Sequence, residues 1–134
     1  MSDIPDGAYD IIYSFSTIRF SRRPDVAMKE IHRTLKPGGY AVIDFPNRRS
    51  PWHLLLKPLL GIRKHMHDHL YTKDEAVRLV RDAGFIVEGV EEFLFTSRRL
   101  PRYLLPAFRM FDRLLEPTFL RRFAGIIMIA ARRP

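Results

Sequence analysis

The chain has 134 residues, 46% of them hydrophobic, and no cysteine. That is enough for one domain with its own core, and it excludes disulfides, thiolate metal sites and cysteine nucleophiles. The formal charge is +8 and the pI near 10.3, yet the basic residues are spread along the chain and no nucleic-acid-binding motif occurs, so a nucleic-acid partner is not expected.

The N-terminus, MSDIPDGAYD, has no signal-peptide pattern, and no apolar run approaches the ~20 residues that span a bilayer. A cytoplasmic location is therefore expected. From Gly7 to Asn47 the chain reads as strand, helix, strand. Tyr9–Phe15 has the length and β-branched character of a strand buried on both faces. Pro24 and Asp25 open a helix, because proline loses no partner in a first turn and the acid meets the positive end of the dipole. Met28, Ile31 and Leu35 form one apolar stripe, with Lys29, Glu30 and Arg33 on the other sides. Pro37 disfavours helix at Lys36, Gly38-Gly39 provides a turn, and Tyr40–Phe45 is a second short buried strand. Two strands joined by a helix form a right-handed crossover and run parallel.

Residues 48–71 interrupt this alternation. Trp52, Leu54, Leu55, Leu56, Leu59, Leu60 and Ile62 stand among basic residues, and Pro58 cuts any helix. His65, His67, Asp68 and His69 follow, residue types that bind zinc or iron. Their spacing is tighter than the His-x-His-x-Asp-His pattern of metallohydrolases, and no second ligand cluster exists, so no metal is expected. Thr72 and Glu75 predict a capping box, with Ala76, Val80 and Ala83 on one helix face and Gly84 as the left-handed C-cap. Phe85–Phe95 then reads as a strand of the same sheet. In residues 98–122, Leu104, Phe108, Phe111 and Leu115 recur at helical spacing between proline breaks at Pro106 and Pro117. This arginine-rich stretch is either a lid packed on the domain or a contact with an anionic membrane surface. Gly125–Ala131 is a buried strand, followed by a basic tail, Arg132-Arg133-Pro134.

Two motifs in this order carry a resemblance. Asp6-Gly7-Ala8-Tyr9-Asp10 and Leu35-Lys36-Pro37-Gly38-Gly39 resemble the entries to the fourth and fifth strands of class I S-adenosylmethionine-dependent methyltransferases, and Ala83-Gly84-Phe85 matches a third element. The resemblance covers most of residues 3–95 and extends to the final strand. It implies an α/β, Rossmann-like methyltransferase half-sheet, mostly parallel with the last strand antiparallel, carrying two helical insertions. Strands near 9–15, 40–45, 85–95 and 125–131 should lie in the order first, second, fourth, third, with helices on both faces. Residues 1–134 then form a partial methyltransferase domain from the fourth strand onward, without the family's glycine-rich cofactor loop and ribose-binding acid.

The activity so implied is methyl transfer from S-adenosylmethionine, as part of a larger or split enzyme. Both insertions are rich in Leu and Phe and fit a roof over an apolar cleft, which points to a small apolar or lipid-like acceptor. The alternative is a non-catalytic half-domain acting as a protein-interaction or membrane-surface module. By resemblance, Ser14, Phe15 and Ser16 touch the methionine part of the cofactor, and Asp3 and Ile4 resemble the tail of the adenine-contacting loop. Phe15 as core and the serines as turn residues is the plainer reading. Asp44 and Asn47 either line the acceptor side or form a polar strand exit. His69-Leu70-Tyr71-Thr72 fits the family's His-apolar-aromatic-Thr helix entry, which implies His69 as a base and Tyr71 as an acceptor contact; His65 and His67 would then be solvated. Ser14, Asp44, Asn47 and His69 should surround one cleft. The edge of Tyr9–Phe15 carries no proline or lysine and invites another strand, from an N-terminal half-domain or a second copy. The isolated chain should accordingly self-associate, bind cofactor very weakly and transfer no methyl group.

Overall fold

The structure is a computed structural model that describes residues 3–51, 54–55, 59, 61, 69–93, 105–115 and 125–134. Strand β1 is Tyr9–Ser14, followed by a single 3-10 turn, Ile18–Phe20, helix α1, Pro24–Thr34, and strand β2, Leu35–Pro46. Helix α2 is Lys73–Asp82, β3 is Ile86–Phe93, helix α3 is Leu105–Leu115 and β4 is Ile126–Arg132. The strands form one sheet in the order β1-β2-β4-β3. β1 pairs parallel with β2, and β4 lies antiparallel between β2 and β3, so the other three strands share a direction. Order and direction are those expected from the sequence.

Local chemistry sets the boundaries. α1 starts at Pro24, and its Met28 and Ile31, with Leu35 just beyond, are buried as one stripe. Strand β2 begins earlier than Tyr40, because Leu35 already pairs with Tyr9, and the register resumes at Ile11↔Tyr40. Lys36–Gly39 is therefore an excursion inside the strand. Gly39 crosses so closely over β1 that a Cβ there would sit 2.9 Å from the carbonyl oxygens of both Asp10 and Lys36. At α2 both arms of the capping box form: the Glu75 amide donates to Thr72 Oγ1 at 3.3 Å, and the Thr72 amide donates to Glu75 Oε2 at 2.8 Å.

The core lies on one side of the sheet. Ala41, Ile43 and Phe45 of β2 and Ile127, Ile129 and Ala131 of β4 pack there with Met28, Ile31, Ala76 and Val80. α1 and α2 touch each other, so both cover this same face and not opposite ones. On the other face Tyr9, Ile11, Tyr13 and Tyr40 are 45, 51, 64 and 43% exposed. The expectation that β1 is buried on both faces is thereby corrected: its odd-numbered side chains face outward, and only Ile12 and Ser14 face the core side.

The basic tail is not free. Arg133 Nη1 donates to the carbonyl oxygens of His32 at 3.1 Å and Arg33 at 3.0 Å, and also to that of Leu35, capping the last turn of α1. In the first insertion Leu54, Leu55 and Leu59 are exposed; Trp52, Leu56, Pro58, Leu60, Ile62, His65, His67 and Asp68 lie outside the described residues. So do Leu94, Phe95, Leu104 and Pro117, while α3 occupies the second insertion with Met110 and Leu114 exposed. Among the described residues no helix is long and apolar enough to cross a membrane.

Candidate functional site at the strand ends

In a parallel α/β sheet, ligands meet the crevice beyond the carboxyl ends of the strands, where loops are free to vary over a rigid support. At that edge β1 ends in Ser14, whose Oγ is buried and has no hydrogen-bond partner among the described residues. Phe15 follows, 55% exposed and stacked on Tyr13 with ring centroids 6.2 Å apart. Ser16 has φ +54°, the left-handed region, and is the sole non-glycine residue with positive φ among the described residues. Its amide donates to Asp44 Oδ1 at 2.6 Å, and Thr17 Oγ1 donates to the Phe15 carbonyl at 3.1 Å.

Asp44 is buried, only 8% exposed. Burial raises its pKa above the ordinary carboxylate value, against the opposing pull of the Ser16 amide and the Arg19 charge. Ser14 pairs with Ile43 and faces the helix side, whereas Asp44, one residue on, faces the open side. The two stand at adjacent strand ends on opposite faces of the sheet.

The segment before α2 is sewn to the end of β2. The Tyr71 amide donates to the Pro46 carbonyl at 2.9 Å and the Arg48 amide to the Tyr71 carbonyl at 2.8 Å. The His69 amide donates to the Arg19 carbonyl at 3.0 Å, which ties this segment to the stretch following β1. The Tyr71 ring meets Phe45 edge-on at 5.1 Å; its Oη is buried without a partner among the described residues, and burial, then the Glu75 charge, raises its pKa. An open groove of about 400 Å³ runs here, lined by Pro24, Arg48, His69, Tyr71, Arg78 and Leu79 among others. Arg48 is held by Glu75 at 3.1 Å and by the Leu70 carbonyl at 2.9 Å.

The structure thus brings together His69 and Tyr71, while Ser14, Asp44 and Asn47 do not line their groove. Asn47 is 1% exposed, and its Oδ1 accepts from the Arg49 amide at 3.0 Å, so the side chain shapes the strand exit as an Asx turn. Asp3 and Ile4 stand at the other edge of the sheet. The Ile4 carbonyl accepts from Arg33 Nη2 at 2.8 Å near the C-terminus of α1. The six residues of β1, about 20 Å of strand, separate them from Ser16. Arg48 and Arg78 also line the groove, and nothing in an arginine's local sequence marks it as a groove wall. Among the described residues no group of three or more histidine or acidic side chains is placed to hold a metal ion.

Residues 2–90 match a family described as "Methyltransferase domain". Over 119 residues the chain is 27% identical to the uncharacterized protein YafE of Escherichia coli (strain K12), a match covering 80% of this chain and 56% of that protein. An S-adenosylmethionine-dependent methyltransferase from Thermotoga maritima superposes with a TM-score of 0.70 at 22% identity, over 98% of this chain and 59% of that one. A chain of the complex containing the Haloferax volcanii Trm112 methyltransferase activator superposes at 0.65 and 19% identity, over 98% of this chain and 57% of its own. The chain therefore spans somewhat more than half the length of these relatives. With two thirds of its residues inside the family match, the chain belongs to the methyltransferase-domain family.

Proposed function

We propose that this chain takes part in methyl transfer from S-adenosylmethionine to a small acceptor, with the loop after β1 on the cofactor side and the His69 groove on the acceptor side. The observation that carries the reading is the family match together with what lies at the strand ends. There a buried Ser14 hydroxyl lacks a partner, and a left-handed Ser16 shapes the exposed loop. These fit one flank of a polar cofactor. Ser14 Oγ would hold it by hydrogen bonding, and the Phe15 ring would exclude water. Bound there, the cofactor supplies a methyl group already activated on a sulfonium sulfur. The protein's part is alignment and desolvation. His69, exposed on the groove wall, is the group placed to take a proton from an oxygen or nitrogen acceptor onto an imidazole nitrogen. Tyr71 Oη, unpartnered beside it, would orient the acceptor.

The acceptor is small and apolar or lipid-like in this reading, supported by Leu70 and Leu79 on the groove wall and by the exposed Leu54, Leu55 and Leu59 nearby in sequence. Those leucines also fit a peripheral membrane contact. Liposome sedimentation at low and high salt distinguishes the two: pelleting with vesicles supports the membrane, its absence at both salts the acceptor roof. The position of β1 at the edge of the described sheet and the exposed Tyr9, Ile11 and Tyr13 support a further stretch of polypeptide pairing with β1. That surface equally favours a second reading, a non-catalytic module that binds a partner through its sheet.

Calorimetry with S-adenosylmethionine tests the enzyme reading, first on this chain and then with an added segment able to pair with β1. Binding that appears or strengthens with the added segment supports it. No heat in either mixture, with a partner protein still captured on the open face, supports the module.

A further inference from the structure

Asp44 is a buried carboxylate whose charge is costly where it sits; its own amide and the Arg19 charge ease that cost, and the hydrogen bond that crosses the strand ends comes from a backbone amide of the neighbouring loop. That amide belongs to the one described residue other than glycine in the left-handed region. A left-handed backbone disfavours any side chain with a Cβ, so Ser16 needs an outside force to stay there. The two anomalies are halves of one device. At φ +54° the Ser16 amide turns down onto the end of β2, where Asp44 Oδ1 receives it at 2.6 Å. The same turn leaves Phe15 and Ser16 exposed on the outer side of the loop, while Thr17 Oγ1 closes it against the Phe15 carbonyl.

We propose that Asp44 is a positioning residue for the loop after β1: its carboxylate clamps Ser16 in the left-handed conformation and so fixes Phe15–Thr17 in the shape that meets the cofactor before any ligand binds. This rests on the reading of that loop as the cofactor side, and it moves Asp44 away from the acceptor role expected from sequence. A clamp of this kind explains why a charged group is retained in a buried position where an apolar residue would favour stability. It also explains why the bond runs from strand to loop and not within either.

The test uses the 15N-labelled chain with Asp44→Ala, Asp44→Asn, Ser16→Gly and the double variant Asp44→Ala/Ser16→Gly. Asparagine keeps an Oδ1 acceptor, and glycine adopts a positive φ without a clamp. In the unsubstituted chain the Ser16 amide should be protected from hydrogen exchange, and its shift should follow the Asp44 carboxyl on acid titration. D44A should lose that protection and move the Phe15 and Thr17 amides, whereas D44N should keep the native pattern. The double variant should return Phe15 and Thr17 toward their native shifts, a rescue that a merely stabilising role for Asp44 would not show. When S-adenosylmethionine is titrated in the presence of a segment able to pair with β1 and followed at these amides, D44A should bind about tenfold more weakly, and glycine at 16 should recover most of that loss. Unchanged Ser16 exchange in D44A, or a double variant that behaves like D44A, overturns the clamp. A native exchange pattern with no response of these amides to S-adenosylmethionine, even with an added segment able to pair with β1, overturns instead the cofactor assignment on which the role depends.

Discussion

Arg133, the second residue from the end of the sequence, holds the C-terminus of a helix a hundred positions earlier. Its Nη1 reaches the carbonyls of His32, Arg33 and Leu35, groups left without intrahelical partners where α1 stops. Replacing Arg133 by alanine leaves its backbone bonds to Gly38 and Gly39 intact and removes only the guanidinium. A hydrogen bond from a charged donor contributes about 1.5–3 kcal/mol, and a cation at a helix C-terminus about 0.3–1 kcal/mol. One Nη shared among three acceptors does not sum threefold, and Arg133 is half-buried, so a loss of about 2–3 kcal/mol is expected. For a domain of this size that lowers the melting temperature by roughly 6–10 °C. Arg133→Lys, which keeps the charge and loses the planar fork, should fall between. Urea unfolding followed by circular dichroism at pH 8 provides the free energy, and thermal melts provide the shift. An R133A midpoint within about 2 °C of the parent would show that water replaces the guanidinium without loss, and that α1 needs no cap from the tail.

His32, beneath Gly84 and edge-on to Phe85 at 5.0 Å, has a buried Nε2, and burial first, then Arg133, lowers its pKa from 6.5 against the pull of the Gly84 backbone. The folded chain therefore holds this proton less tightly than the unfolded one. Its contribution to stability is fully present above the unfolded value near 6.5 and is lost as pH falls through the lower folded value, so urea midpoints should drop on acidification, and less so in His32→Phe. Gly39→Ala forces a Cβ to 2.9 Å from two carbonyl oxygens and should lose about 2–3 kcal/mol in urea unfolding, with a measurable separation of β1 from β2 in amide exchange. Thr72→Ala removes one arm of the capping box and should lose about 1 kcal/mol, while Thr72→Ser, which keeps the hydroxyl, stays near the parent.

The elements that were legible in the sequence are those whose signals are local. Pro24 with the Met28, Ile31 and Leu35 stripe marks α1, Thr72 with Glu75 marks the start of α2, and short, mostly apolar runs mark β1, β2 and β4. The burial of β1 is not local information, for a physical reason. An all-apolar strand and a strand open on one face have the same composition when the open face is itself made of Tyr and Ile, so Tyr9, Ile11 and Tyr13 look like core until their neighbours are known. The side of the sheet taken by α2 was also beyond local reading. It is fixed by Ala76 and Val80 meeting the same buried layer as Met28 and Ile31, a long-range fact.

The candidate site shows the same limit more sharply. Ser14 and Asp44 were both identified as strand-end groups, and both are, yet whether they share a face depends on the register between β1 and β2. That register is set by how many residues the Lys36–Gly39 excursion absorbs: Tyr9 pairs with Leu35, but two residues later Ile11 pairs with Tyr40. Had the excursion been one residue shorter or longer, every side chain of β2 beyond it would change face relative to its β1 neighbour, and Asp44 would point into the helix layer beside Ser14. Its carboxylate would then be buried among Ile43's present neighbours, out of reach of the Ser16 amide from the open side, with the loop after β1 left unclamped. The glycine pair that reads as a simple turn is thus what sends the acid to the face where the loop can use it.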